Sequence, residues 1–189
     1  MKLANYCLTT FLLVTAAGCD RLERDIANAP DDSGIERYGL ENAKLGDSRD
    51  KVTQQLQTLL AQPLQCAEGK TGLGEQRKAF VLEECTAVSS NGVVGRLWDE
   101  PLSFLKATFI ENQLVGLELH VKTSGDYQAL YEAHGNKILN LFGKPDETAS
   151  KQVQWQREGD EALLNDLGGG KVGLEIRNKK VMQGLHHKG

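Results

Sequence analysis

The chain has no surplus of positive charge. Across 189 residues, 22 Lys and Arg stand against 26 Asp and Glu, for a formal net charge of -4 and a pI near 5.6. A nucleic-acid binder presents a basic face, and the longest basic run here is a pair such as Lys179-Lys180, so no nucleic-acid partner is expected. The chain also lacks the run of about 20 apolar residues that a membrane-spanning helix needs; its most apolar stretch, Tyr6 to Gly18, is too short. Cysteines are few, four in all, and no two of them have the CxxC spacing of a metal knuckle. No metal or cofactor is expected. The mean hydropathy of -0.40 is that of a water-soluble body.

What is present begins at the N-terminus. Lys2 precedes an apolar middle that ends in the small residues Ala16-Ala17-Gly18. A basic start, an apolar centre and small residues before a cut make a secretory signal, expected over residues 1–18. Cys19 stands directly behind the small residues, and Ala16-Ala17-Gly18-Cys19 resembles the lipobox of bacterial lipoproteins. That resemblance implies cleavage before Cys19 and attachment of acyl chains, palmitate among them, to the new N-terminal cysteine. The pattern departs at Ala16, where a branched aliphatic residue is usual; the alternative is an ordinary signal peptide that leaves Cys19 free. Each buried methylene contributes about 0.8 kcal/mol, so one chain binds a bilayer reversibly and several bind it durably. The resemblance thus implies a periplasm-facing protein of the bacterial cell envelope. Asp20 is similar to the signal that retains enteric lipoproteins at the inner membrane, with the outer membrane as the alternative.

With Cys7 removed in the signal and Cys19 given to lipid, Cys66 and Cys85 remain. An even pair in an oxidising compartment is expected to form a disulfide, which contributes about 3 kcal/mol by restricting the unfolded chain. The competing reading, a metal pair, lacks both a CxxC spacing and a nearby histidine.

Residues 19–38 are rich in Asp, Glu, Arg and Asn around Pro30 to Gly34 and read as a flexible tether. A single α+β domain is expected over 39–183, with a frayed tail at 184–189. Asp47 or Ser48 is placed to cap a first helix, in which Val52, Leu56, Leu59 and Leu60 recur at helical spacing until Pro63. A glycine-bearing loop from Lys70 to Glu75 precedes a strand from Lys78 to Val88 and a turn at Ser89 to Gly92. Lys106 to Glu111 and Leu114 to Lys122 form a hairpin turning at Asn112-Gln113. Val115, Leu117, Leu119 and Val121 take one face, and Gly116, Glu118, His120 and Lys122 take a wet one. Asp126 to Phe142 reads as a second helix ended by Gly143-Lys144-Pro145. Strands follow at Val153 to Arg157, Glu161 to Leu167 and Lys171 to Arg177.

The two helices end alike. Leu59-Leu60-Ala61-Gln62-Pro63 aligns with Leu141-Phe142-Gly143-Lys144-Pro145 at an offset of 82 residues, which brings Leu56 onto Ile138 and Val52 onto His134. The alignment predicts an antiparallel sheet with two helices packed on one face, built as helix-plus-strands repeats over 39–123 and 124–183; chance similarity at so few positions is the rival. Leu45 to Val52 and the helix ending at Gly143-Lys144-Pro145 resemble periplasmic modules of the SmpA/OmlA type and tandem-repeat β-lactamase inhibitor proteins. The resemblance implies a non-catalytic sheet that binds another envelope or periplasmic protein. It carries over no binding residue, because Asp47 and the long insertion between Pro63 and Arg96 depart from the pattern.

Candidate chemistry is sparse. Gly46-Asp47-Ser48 is similar to the nucleophile segment of GDSL esterases, but neither His186 nor His187 has an aspartate three residues earlier, leaving a base without a partner. Gly168-Gly169-Gly170-Lys171 lacks the Ser or Thr and the helix of a phosphate loop. Glu83-Glu84, Asp99-Glu100 and Asp160-Glu161 are adjacent acids, and adjacent residues on a strand face opposite ways. His134 falls on an apolar helix stripe, as a hydrogen-bonded core residue does. Arg96, Trp98 and Asp99 form the candidate partner-binding loop, since an exposed Trp beside an Arg is a frequent interface hot spot; the alternative is a Trp folded over the core edge. No catalytic residue is assigned. The expected function is non-catalytic protein binding by a lipid-anchored envelope protein. An inhibitor or immunity protein against a hydrolase, such as a peptidoglycan-cleaving effector, is the alternative, and an esterase a distant third.

Overall fold

In the computed structural model the described residues are 37–73, 78–89 and 92–186, with only the backbone described for 70–73, 78–79 and 183–186. The signal, Cys19, Asp20, most of the tether and His187 lie outside them.

Tyr38 is already core, 1% exposed, and Arg37 reaches Asp160 through its Nε and a guanidinium nitrogen, the latter at 3.0 Å. The expected tether therefore gives way to folded chain by Arg37. A short hairpin follows, β1 (Gly39–Leu40) with β2 (Ala43–Lys44), and then helix α1 (Arg49–Leu56). Ser48 stands at the N-cap without a side-chain capping bond. Asp47 instead accepts from the Lys44 amide at 2.9 Å and from Lys51 Nζ at 2.8 Å. Burial pushes the Asp47 carboxyl up, but these hydrogen bonds and the charges of Lys51 and Lys44 outweigh it, so the group titrates below its usual range.

The body of the protein is one antiparallel sheet. Its strands are β3 (Gln65–Leu73), β4 (Lys78–Ala87), β5 (Gly95–Leu97), β6 (Glu100–Ile110), β7 (Gln113–Lys122), β8 (Glu147–Ala149), β9 (Gln152–Arg157), β10 (Asp160–Asp166) and β11 (Lys171–Asn178). They run in the order β3-β4-β6-β7-β11-β10-β9-β8, with β5 paired beside β6. Two meanders thus meet where β7 pairs with β11, Leu117 opposite Ile176 and Leu119 opposite Leu174. Three of the two-residue hairpins place both turn residues at positive φ: Trp98-Asp99, Glu111-Asn112 and Glu158-Gly159. Those turns carry the twist that antiparallel neighbours need. The turn after β6 therefore lies one residue before the expected Asn112-Gln113. A register shift between Thr108 and Phe109 is also present, so Leu114 as well as Leu117 reaches the core.

One face of the sheet is sealed. Leu105, Ala107, Phe109, Leu117, Leu119, Val121, Val153, Trp155, Ala162, Leu164, Val172, Leu174 and Ile176 pack there beneath α2 (Tyr127–Phe142), which contributes Tyr127, Leu130, Tyr131, Ile138 and Phe142. Asp126 caps α2 by accepting from the amides of Gln128 and Ala129, and Gly143 at φ 75° ends it. The helix breaks at His134, whose φ of -129° is non-helical.

The expected α+β arrangement, with two matched helices on one face, is corrected. Strand accounts for 50% and helix for 23%, and α2 alone is a helix of significant length among the described residues. Gln54, Gln55, Gln57 and Thr58 surround Leu56 with polar residues, and α1 stops after eight residues and passes into a 3₁₀ turn, Gln57–Leu59. Leu60 then makes an isolated bridge to Gly95. Nor are the halves alike. Eight residues of α1 face sixteen of α2, and the long β3 faces the three-residue β8. Of the loop expected from Lys70 to Glu75, Lys70 to Leu73 continue β3, and the rest lies outside the described residues. Lys179–His186 forms helix α3, so residues 184–186 of the expected frayed tail are helical; 187–189 lie outside the described residues.

Candidate functional site

The second face of the sheet was expected to be open and wet. It carries the alternate residues of the strands: Leu82 and Glu84 from β4, Lys106 and Thr108 from β6, Gly116, Glu118 and His120 from β7, Glu175 and Arg177 from β11, and Glu161 from β10. α3 lies across it, meeting β11, β10, β7 and β3. It starts without a linker: the Lys179 amide donates to the Gly159 carbonyl at 2.7 Å, and Asn178 Oδ1 accepts from the Val181 amide at 3.0 Å. Gly116 is buried, and a Cβ placed on it would come 3.6 Å from Sδ and Cε of Met182. Met182 thus packs directly on this glycine, at ordinary van der Waals range from where a side chain would begin.

Beside Met182 a groove of about 460 Å³ opens, lined by Leu82, Glu84, Lys106, Thr108, Glu118, Glu175 and Arg177 among others. Glu118 and Glu175 stand directly opposite each other in the ladder, a placement that is unfavourable for like charges unless cations intervene. They do: Lys106 Nζ lies 3.2 Å from Glu118 and Arg177 donates to Glu175 at 2.8 Å; the ring nitrogen His120 Nε2 also lies 3.0 Å from Glu118. The same Arg177 donates to Glu161 at 2.6 Å. Glu161, 3% exposed, also accepts from Gln154 at 2.7 Å and pairs with Lys179 at 3.4 Å. Burial lowers the Arg177 pKa, but its hydrogen bond with Glu161 and the charges of Glu175 and Glu161 hold it above the ordinary guanidinium value. The lining carries three carboxylates, Glu84, Glu118 and Glu175, against two cations, Lys106 and Arg177, and Arg177 is drawn toward Glu161. The groove therefore presents a net negative, partly apolar surface on rigid strands.

The residues singled out in the sequence are scattered elsewhere. Gly46-Asp47-Ser48 is stitched to β7, with Gly46 donating to Leu114 and Leu114 to Asp47. Gly168, Gly169 and Gly170, all at positive φ, connect β10 to β11. Glu83 pairs with Arg49 at 2.9 Å while Glu84 takes the second face, and Asp160 pairs with Arg37 while Glu161 pairs with Arg177. The disulfide Cys66–Cys85 is formed, between residues directly opposite in β3 and β4. Glu83 lies close to both sulfurs, but thiols joined to each other offer no thiolate ligands. His134 Nε2 lies 3.3 Å from Glu100, and its ring is 5.7 Å from that of Trp98. Among the described residues no helix is long and apolar enough to cross a membrane.

The candidate partner loop divides. Arg96 and Asp99 are exposed, and Arg96 donates to the Asp99 carbonyl at 2.5 Å. Trp98 is 8% exposed and belongs to the core cluster, which corrects the exposed hot-spot reading. Its turn position at φ 53° swings the indole inward against His134. Trp98→Ala is expected to cost about 2–3 kcal/mol, somewhat less than a central tryptophan because the ring sits at the core edge. A thermal melt followed by the remaining tryptophan checks this, and an unchanged midpoint would return Trp98 to the surface.

The groove residues were missed because each looked like the solvated half of an alternating strand. Their signal was cross-strand: Lys106 and Glu118 are brought together by the β6–β7 hairpin itself. The β7–β11 pairing that adds Glu175 and Arg177 has no local signature. No family model matches the chain, and no curated protein or solved structure matches it.

Proposed function

We propose that this chain is a lipid-anchored protein of the bacterial cell envelope that acts by non-catalytic binding of another envelope protein, with the second-face groove as its contact surface. The observation that carries the reading is the groove: a concave, charge-bearing surface built on the central strands of a sheet whose other face is fully committed to the core. Groups on strands are held more rigidly than groups on loops, which suits recognition of a preformed partner. The address rests on Ala16 to Cys19, and the Cys66–Cys85 disulfide is compatible with an oxidising compartment.

Two measurements on the full-length protein in a bacterial host test this. Cys19→Ser is expected to move the protein from the membrane to the soluble fraction; persistence with membranes would remove the lipid anchor. A photo-crosslinking residue at Glu84 is expected to trap a partner that the same residue at the remote, exposed Glu147 does not, and Glu118→Lys is expected to abolish the adduct. Equal trapping at both positions would rule out the groove.

A further inference from the structure

We infer that the groove and the adjoining seat of α3 take a basic amphipathic helix of the partner, which displaces α3; this rests on the groove being the binding surface. α3 shows what the seat accepts. Lys179 reaches the buried Glu161 at 3.4 Å, and three residues later Met182 settles over Gly116. Positions three apart lie on one helical face, so the seat reads a cation followed at that spacing by a long, unbranched apolar side chain. Around it the carboxylates of Glu84, Glu118 and Glu175 favour further lysine or arginine, and Leu82 adds an apolar contact. An eight-residue helix does not sustain itself in water. α3 is therefore held by these contacts, and a partner helix that offers the same contacts with more cations exchanges with it.

The test uses the full-length chain and a synthetic peptide of its own residues 179–189 as probe. Lys179→Glu with Met182→Glu removes both anchors of α3 and repels it from the acidic lining. The peptide, titrated to low millimolar concentration and followed by amide chemical shifts, is expected to move the resonances of Thr108 and Gly116. It should bind this variant at least about tenfold more tightly than the unaltered chain, whose tethered helix competes at an effective concentration of about a millimolar. A peptide with Lys179 and Lys180 replaced by glutamate is expected not to bind. Lys179→Gln with Met182→Gln repeats the measurement if the charged variant fails to fold. Absence of shifts, equal affinity for altered and unaltered chains, or equal binding of the two peptides would overturn the assignment. So would a stable dimer, which would give the seat to a second copy. If the peptide fails while trapping at Glu84 persists, only the helix assignment falls; if both fail, the groove is not the binding surface.

Discussion

Trp155→Ala is expected to lower the stability of the domain by about 3–5 kcal/mol, the cost of deleting a fully buried large aromatic. Trp155 is 0% exposed and is the largest wholly buried side chain. It packs on Phe142 with ring centroids 5.3 Å apart, and Phe142 meets Tyr38 at 5.8 Å, so one row of rings ties β9 to the end of α2 and to Tyr38 ahead of β1. Its indole Nε1 donates to the Gly143 carbonyl at 3.0 Å. That carbonyl follows the last turn of α2, where the helix has no partner of its own to offer. Trp155→Phe keeps most of the packing and removes the donor, leaving a buried carbonyl unsatisfied at a cost of about 1–3 kcal/mol. For a domain of this size the alanine loss corresponds to a fall of about 6–20 °C in melting temperature. Circular dichroism on both variants reads the two contributions separately. A drop of only a degree or two for alanine would mean that the ring row does not hold the end of α2.

How much of this was legible in the sequence depended on whether a pattern was local. The alternation of Val153 and Trp155 with glutamines, and of Val172, Leu174 and Ile176 with Gly173, Glu175 and Arg177, is fixed by the two-residue period of a strand, and these segments are strands. The stripe of α2 and its end at Gly143 were equally local. The length of α1 was misread because Leu59 and Leu60 fit a helical period although the intervening residues are polar, and tertiary pairing of Leu60 with Gly95 overrides that period. The end of β3 was hidden by Gly72, in a stretch from Lys70 to Glu75 that read as a loop; the strand is imposed by β4 alongside it and by Cys66 opposite Cys85. Trp98 was left open between an exposed hot spot and a residue folded over the core edge; the sequence shows only a loop, and the fold shows that its turn points the ring at His134. The groove was least legible of all, because Glu118 and Glu175 come from strands joined by a pairing across more than fifty residues of chain.

Reduction of the Cys66–Cys85 disulfide is expected to lower stability by about 3 kcal/mol, roughly a hundredfold in the unfolding equilibrium, for a loop with a sequence separation of 19. The loss should not fall evenly. β3 lies at the edge of the sheet with β4 as its one neighbour in the strand order, and its residues Gln65 to Gly69 are all exposed. Burial therefore gives the strand little hold, and its ladder to β4 and the disulfide carry it. Cys85 is different: it is fully buried in the core and stays in place when reduced. The amides of β3 should then exchange with solvent well before those of β6 and β7, which are paired on both sides and open with the whole domain. Hydrogen exchange with and without reductant measures both effects, and a Cys66→Ser, Cys85→Ala double variant guards against re-oxidation. If β3 stays as protected as β7 in the reduced protein, its ladder alone suffices. Release of β3 would also reach the groove, because α3 rests on that strand as well as on β7. Loss of the disulfide should therefore loosen the helix and make its seat easier to enter.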